Sequence, residues 1–224
     1  MKTTKDPVNQ ELIEHEEKFG PEKIGVMNSK VWSEDPKRFV FTLSRYKFVS
    51  KLLAGREEVL EIGCGDGFCS HLVQSTVKNL TISDYDPLFI EKYIETNPRS
   101  LVRAIVHDIL AGPFLKKYHA IYALDVLEHI HKKDEEHFLN NTIDSLDENG
   151  VLILGMPSLE SQIYASKASK EGHVNCKNGE EFKLLMESYF HNVFLFSMND
   201  EVVHTGFEKM AHYIFTISSG KKLA

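Results

Sequence analysis

The stretch Leu60–Gly67, LEIGCGDG, joins the end of an apolar run to three glycines at alternate positions. Glycine has no Cβ, so it lets the backbone take a positive φ and approach a ligand closely. A dinucleotide-binding loop reads G-x-G-x-x-G, whereas this chain reads G-x-G-x-G and carries Glu61 two residues before the first glycine. The loop contains no lysine or arginine to meet a pyrophosphate. The stretch therefore favours a strand–loop–helix unit for a ligand without phosphate, and a tight turn without a ligand is the alternative.

Strands and helices alternate on both sides of this loop. Residues 79–86 (NLTISDYD) and 100–109 (SLVRAIVHDI) read as strands, and residues 133–150 read as a helix that ends at Gly150. Apolar strands that alternate with helices predict an α/β fold with a doubly wound, mostly parallel, Rossmann-like sheet. The late strands 192–200 (NVFLFSMND) and 211–218 (AHYIFTIS) are predicted to pair antiparallel at one edge.

The chain divides into three predicted parts. Residues 1–55 form an N-terminal helical extension or lid, residues 56–218 form the core domain, and residues 219–224 form a loose tail. The segment 38–55 is amphipathic and aromatic, so it is able to cover a ligand, contact a membrane surface or simply pack on the sheet.

Composition limits the classes of function. The 224 residues carry a formal net charge of −7, which argues against a nucleic-acid-binding surface. Three cysteines without a C-x-x-C pair fit a reducing cytoplasm rather than a disulfide scaffold. The first 20 residues lack an apolar signal-peptide core, and no apolar run approaches the roughly 20 residues of a membrane helix. We therefore expect a cytoplasmic protein without stable membrane insertion, for which an oligomer remains possible.

Two further carboxylates follow predicted strands. Asp84 lies 23 residues beyond Glu61, where a carboxylate can accept both hydroxyls of a ribose. Asp108 ends the third strand, where it can accept from an adenine amino group or cap the next helix. Ligands of open α/β sheets bind at the carboxyl ends of the strands. A ribose, an adenine and a positive charge without phosphate together describe S-adenosylmethionine.

A resemblance to a known protein family rests on five segments between Val59 and Ser158: VLEIGCGDG, ISDYDP, VHDI, IYALDVLEHI and GVLILGMPS. They resemble the ordered motifs of class I S-adenosylmethionine-dependent methyltransferases, and look closest to the branch of ubiquinone-biosynthesis and sugar methyltransferases. The resemblance implies cofactor contacts at matching positions, with S-adenosylhomocysteine as the product. These positions are Glu61, Gly63, Cys64, Gly65, Asp84, Tyr85, Asp108, Ile109 and Leu124.

The acceptor is predicted to be a hydroxyl or amine of a small molecule, including a sugar or nucleotide-linked sugar. A hydroxyl needs a base, and histidine is the usual one near neutral pH. The candidates are His129, after the fourth strand, and His173, in the segment that follows the fifth strand. Lys167 and Lys170 could meet a phosphate of a nucleotide-linked sugar. No metal is expected, because His129 and His131 are two apart and face differently on a helix.

Other functions remain open on the sequence. The same motifs allow a methyltransferase that acts on a quinone or a macromolecule, or a methyltransferase-like module that binds without catalysis. A nicotinamide-dependent reductase is disfavoured by the alternate spacing of the glycines.

Overall fold

The computed structural model describes residues 3–222, which form one eight-stranded sheet with helices on both faces. The strand order is β3-β2-β1-β4-β5-β8-β6-β7. The strands are β1 (Glu58–Ile62), β2 (Asn79–Asp84), β3 (Arg103–Val106), β4 (Tyr118–Leu124), β5 (Leu146–Pro157), β6 (Phe190–Asn199), β7 (Val202–His204) and β8 (Tyr213–Lys221). Strands β1 to β5 are parallel, and β8, β6 and β7 continue the sheet antiparallel. This arrangement confirms the predicted doubly wound sheet with an antiparallel edge.

Eight α-helices accompany the strands in the described part of the chain. They are α1 (Gln10–Phe19), α2 (Val26–Glu34), α3 (Pro36–Leu52), α4 (Ser70–Gln74), α5 (Pro87–Thr96), α6 (Glu135–Ser145), α7 (Lys167–Gly172) and α8 (Gly179–Glu187). Four of them, α3, α5, α7 and α8, begin with a proline or a side-chain cap that the sequence displays. Pro87 starts α5 after the cap Asp86, and Asn178 forms a capping box with Glu181 at α8.

The alternation of side chains along β1 divides the core into two layers. Leu60 and Ile62 pack with α6 and α8 on one face, while Val59 packs with α3, α4 and α5 on the other. Glu61 points to the same face as Val59, because successive side chains of a strand alternate between faces. The acidic residue of the opening stretch is therefore enclosed by helices.

Two predicted boundaries differ from the structure. Helix α6 ends at Ser145 rather than Gly150, because the chain enters β5 at Leu146 and loops out before Val151 resumes pairing with β4. The tail does not begin at residue 219, because β8 continues to Lys221, which is paired with Phe190. Residues 223 and 224 of that predicted tail lie outside the described residues.

The predicted lid of residues 1–55 is not one structural unit. Helix α3 buries Phe39, Tyr46 and Val49 against the sheet, so it belongs to the core and its apolar face is not available to a membrane. Helices α1 and α2 bury no residue fully. Within residues 3–222, we find no helix with the length and apolar character that crossing a bilayer requires.

Candidate functional site

The carboxyl ends of β1 and β4 meet where the strand order reverses, and the glycine loop follows β1 at that point. Gly63 has a φ of +75°, and a Cβ there would lie 2.3 Å from Cγ2 of Val126, just after β4. Gly65 has a φ of +53°, and its Cβ would lie 2.7 Å from the sulfur of Met27. A side chain at either position would therefore clash with these neighbours and would be strained by the positive φ. The bare backbone at the switch point of the sheet is where a ligand of an α/β fold binds.

Glu61 is the buried anchor of the loop and is only 1 % exposed. Its Oε1 accepts a hydrogen bond from the Tyr46 hydroxyl at 2.7 Å, and its Oε2 accepts from Ser70 at 2.5 Å and Tyr122 at 2.7 Å. Burial raises the pKa of this carboxyl, although the three hydroxyl donors act in the opposite direction. These contacts hold the end of β1 and the glycine loop in place. The geometry favours this role for Glu61 over the predicted direct contact with the cofactor.

Asp84 connects β2 to the same loop. Its Oδ2 accepts from the Gly65 amide at 2.9 Å, and its Oδ1 accepts from the Asp86 amide at 3.0 Å. Each carboxylate oxygen keeps a second lone pair. The structure therefore places a carboxylate directly beside the glycine loop, and the ribose contact remains a prediction.

The other predicted cofactor residues fall into exposed and enclosed groups. Tyr85 is 73 % exposed and Asp108 is also exposed, with its Oδ1 accepting from the Leu110 amide at 2.9 Å. Cys64, Ile109 and Leu124 are buried among the core side chains. The contacts of all five residues with the cofactor stay predictions. Since the side chains of Cys64, Ile109 and Leu124 are buried in the core, we expect these three to contact it through backbone atoms.

The start of α2 is fastened to the glycine loop by a contact that the sequence did not reveal. The Asn28 amide donates to Asp66 Oδ2 at 2.8 Å, and the Asn28 side-chain amide donates to Asp66 Oδ1 at 2.6 Å. Gly25 completes the contact, because a Cβ there would lie 2.2 Å from the Asp66 carboxyl carbon. Asp66 stands inside the opening motif, but nothing in the sequence indicated Asn28, 38 residues earlier, as its partner.

An ion pair lies at the carboxyl end of β4, where the methyl group is expected to leave. Asp125 has a φ of +57°, which is uncommon for a residue other than glycine. It pairs with Arg45 of α3 at 2.8 Å, and the guanidinium stacks on Tyr213 at 3.9 Å from the ring centre. Burial opposes the charge on Arg45, but Asp125 outweighs it and the pKa of Arg45 is raised. Neither Arg45 nor Asp125 was among the site residues predicted from the sequence.

The structure brings the two predicted catalytic histidines together. The rings of His129 and His173 lie 5.1 Å apart, near perpendicular to each other. His129 Nδ1 bonds to the Gly172 carbonyl at 2.9 Å, and His173 Nδ1 bonds to Gln162 Oε1 at 2.7 Å. Burial, followed by the neighbouring His129, lowers the pKa of His173, so this ring stays neutral near pH 7.

Glu128 lies beside the two histidines and was not predicted. Its side chain is completely buried, and its backbone carbonyl accepts from the amides of Val174 and Asn175 at 2.8 and 3.0 Å. This contact ties the loop that carries His173 to the short turn that carries His129. Burial, with Asp125 as the next cause, raises the pKa of the Glu128 carboxyl well above its usual value.

The cysteines do not provide a thiolate nucleophile. Burial raises the pKa of the Cys64 and Cys69 thiols, and it raises that of Cys176 to about 12. All three are therefore protonated near neutral pH. The chemistry of the site falls to the carboxylates, the arginine and the histidines.

Comparison with known proteins supports one class of enzyme. A family model described as a methyltransferase domain matches residues 34–190. No curated protein is similar enough in sequence to match the chain. One similar solved structure is N-methyltransferase NodS from Bradyrhizobium japonicum WM9, in complex with S-adenosyl-L-homocysteine. Its TM-score is 0.60 at 17 % sequence identity, and the match covers 84 % of this chain and 90 % of that one.

Two further solved structures resemble the chain. An S-adenosylmethionine-dependent methyltransferase from Clostridium acetobutylicum ATCC 824 gives a TM-score of 0.66 at 14 % identity, covering 86 % of this chain and 97 % of that one. The DhpI complex with S-adenosylhomocysteine gives a TM-score of 0.61 at 14 % identity, covering 93 % of this chain and 91 % of that one. At these identities the neighbours establish the fold.

Proposed function

Because the chain belongs to the methyltransferase-domain family and is an S-adenosylmethionine-dependent enzyme, we propose that it methylates a hydroxyl or amine of a small molecule. The bound cofactor supplies the methyl group on a positively charged sulfur. The glycine loop and Asp84 fit this cofactor, since they combine bare backbone with a carboxylate and no basic side chain. The ubiquinone or sugar branch suggested by the motifs is a narrower form of this proposal.

One observation carries the preference for a hydroxyl. His173 and His129 lie together after the ends of β5 and β4, and each ring is hydrogen-bonded through Nδ1. A neutral imidazole with its second nitrogen free can take the proton of a hydroxyl. His173 is the preferred base, and His129 orients or replaces it.

The acceptor class is supported by the surroundings of this pair. The wall formed by residues 158–173 carries exposed Leu159, Ile163 and Tyr164, which suit a small and partly apolar acceptor. Lys170 donates to the Ile163 carbonyl, and Lys167 lies 3.9 Å from Glu171. These lysines already have partners, so they do not single out a phosphate-bearing sugar. A plain sugar or similar metabolite is the simpler proposal.

The proposal is tested with S-adenosylmethionine labelled in its methyl group. The protein and label are incubated with host extract, which is then separated into small metabolites, protein, nucleic acid and lipid. Label in small metabolites supports the proposal, and mass spectrometry then identifies the acceptor. Label in protein, nucleic acid or lipid contradicts the acceptor class but retains the methyltransferase. The control is Asp84→Ala, which should transfer much less label than the native enzyme at cofactor concentrations near the native dissociation constant.

A further inference from the structure

Glu128 is an ionisable group that the structure leaves in the interior without a hydrogen-bonded partner among the described residues. Its side chain is completely buried, and within residues 3–222 neither carboxylate oxygen has a hydrogen-bond partner. His129 Nε2 lies 4.0 Å from Glu128 Oε1, and Arg45 is a more distant cation that acts on the same carboxyl. An unpaired carboxylate in a protein interior is strongly unfavourable unless a cation or donors balance it. Catalysis by two histidines alone gives this carboxylate no partner.

The hydrogen bonds of the two imidazoles determine which ring nitrogen is free. The Gly172 carbonyl can only accept, so His129 donates to it from Nδ1. Gln162 Oε1 likewise accepts from Nδ1 of His173. In the neutral ring, Nε2 then carries the lone pair. Metal-binding histidines are oriented in this way, with the second nitrogen donating to a carbonyl or carboxylate oxygen.

These groups converge on one point. One ligand atom from each of Glu128, His129 and His173 lies within 4.8 Å of the others. Metal bonds of about 2.0–2.2 Å place two tetrahedral ligands of one ion about 3.3–3.6 Å apart, so side-chain movements of roughly 1 Å bring the three groups to one ion. Two imidazoles and one carboxylate are the donor set of several catalytic sites that keep positions open for water or substrate.

We propose that Glu128, His129 and His173 form a binding site for a divalent transition-metal ion such as Zn²⁺ or Mn²⁺. From the sequence we expected no metal, because His129 and His131 face differently on a helix. In the fold, the second histidine beside His129 is His173, which lies on the loop that is hydrogen-bonded to the Glu128 carbonyl. Asp125 remains outside the ligand set because Arg45 holds it. Nitrogen ligands favour such ions over Mg²⁺ and Ca²⁺.

The site also suggests a role, which rests on the proposed function. It lies just beyond β4, so the open positions of the ion face the region where the acceptor is expected. A hydroxyl oxygen bound there would have a lowered pKa, which is the usual effect of such an ion on a bound oxygen. With the ion in place, His129 and His173 act as its ligands rather than as bases.

Binding is measured on the full chain without cofactor or acceptor, so the result does not depend on methyl transfer. The protein is stripped with a chelator, dialysed and titrated with Zn²⁺ by calorimetry and with Mn²⁺ by electron paramagnetic resonance. We expect one ion per chain and at least a tenfold weaker affinity in Glu128→Gln and His173→Ala. His131→Ala, which changes an exposed neighbour outside the cluster, should bind as the native protein does.

Folding is checked by circular dichroism and by the affinity of each variant for S-adenosylhomocysteine. Glu128→Gln removes the carboxylate ligand while keeping the shape of the side chain, so it should remain folded and bind the cofactor. No ion bound by the native protein, or equal affinity in native protein, Glu128→Gln and His173→Ala, overturns the proposal. Ion binding without transfer to any small molecule would leave the metal site intact and contradict the proposed acceptor class.

Discussion

Asp84 links the end of β2 to the glycine loop, and its remaining lone pairs are available to a ribose. Asp84→Ala should lower the affinity for S-adenosylhomocysteine by about 10- to 150-fold, since hydrogen bonds to a charged group contribute roughly 1.5–3 kcal/mol. The affinity is measured by calorimetry. Asp86→Ala is the matched control, because Asp86 caps α5 through the Leu88 amide and should affect stability alone. Native affinity in a folded Asp84→Ala protein would refute the ribose assignment.

Glu61 provides a test of pH dependence at the residue scale. Burial raises its pKa in the folded state, so the folded protein holds this proton more tightly than the unfolded chain. The associated stability is fully present below the unfolded pKa, about 4.5, and is lost as pH rises through the folded pKa. The variant Glu61→Gln has no ionisable group at this position, so it does not lose stability in this way as the pH rises. The free energy of unfolding of Glu61→Gln minus that of the native protein should therefore increase from pH 4.5 to pH 8.

Chemical denaturation at several pH values measures this difference. Glu58→Gln, which changes a more exposed residue of the same strand, is the control and lacks the burial that raises the Glu61 pKa. A constant difference across the range would contradict the role of burial at Glu61.

The loop that carries His173 depends on a second buried network at its base. Glu135, at the start of α6, accepts from Asn175 and Lys132 and lies 2.5 Å from the ammonium group of Lys177. Glu135→Gln should lower the free energy of unfolding by about 3 kcal/mol, because it leaves a buried lysine without its partner. Thermal and urea unfolding measure this effect. Glu136→Gln, on the exposed side of the same helix, should change stability by less than about 0.5 kcal/mol.

Burial works against the charge of Glu135, but its three donors prevail and lower its pKa. This contribution is present above the unfolded pKa and is lost as pH falls through the folded one. The effect of Glu135→Gln should therefore shrink below about pH 4.5. An effect that is equally large in strong acid would contradict the ionised state of Glu135.

The contact between α2 and the glycine loop makes a prediction at the scale of an element. Asn28→Ala removes one charge-assisted hydrogen bond to Asp66 while keeping the backbone contact. We expect S-adenosylhomocysteine to dissociate several-fold faster, in line with roughly 1.5 kcal/mol for such a bond. Stopped-flow displacement measures the rate. Ser29→Ala, whose hydroxyl donates to Ile24 rather than to the loop, is the control, and equal rates in the two variants would show that α2 does not retain the ligand.

At the scale of the whole molecule, cofactor binding should appear as thermal stability. A ligand at 100 times its dissociation constant stabilises the folded state by about 2.7 kcal/mol. For a chain of this size, that corresponds to a rise in melting temperature of roughly 5–11 °C. Differential scanning calorimetry with S-adenosylhomocysteine measures the shift, and NADH at the same concentration is the comparison. A larger shift with NADH would contradict the cofactor assignment.

Much of this fold could be predicted from local pattern, because most strands and helices display their own periodicity and caps, although the short strand β7 does not. The glycine loop, Asp84 and the antiparallel pairing of the last two strands followed from such patterns. The ends of α6 and β8 did not, since Gly150 resembles a helix stop while pairing with β4 and β6 decides the boundaries. Asn28 with Asp66, Arg45 with Asp125, and His173 with Glu128 join distant segments. Such contacts depend on tertiary packing, and no spacing within a single sequence reveals them.

The position of β8 in the sheet has a consequence for synthesis of the protein. Tyr213–Lys221 lies between β5 and β6, although both of those strands precede it along the chain. While the ribosome has yet to release these residues, the nascent chain holds two unpaired strand edges, one on β5 and one on β6. Open edges of this kind invite pairing with other chains. Until β8 is inserted between β5 and β6, we therefore expect the folding chain to be prone to aggregation through these two edges.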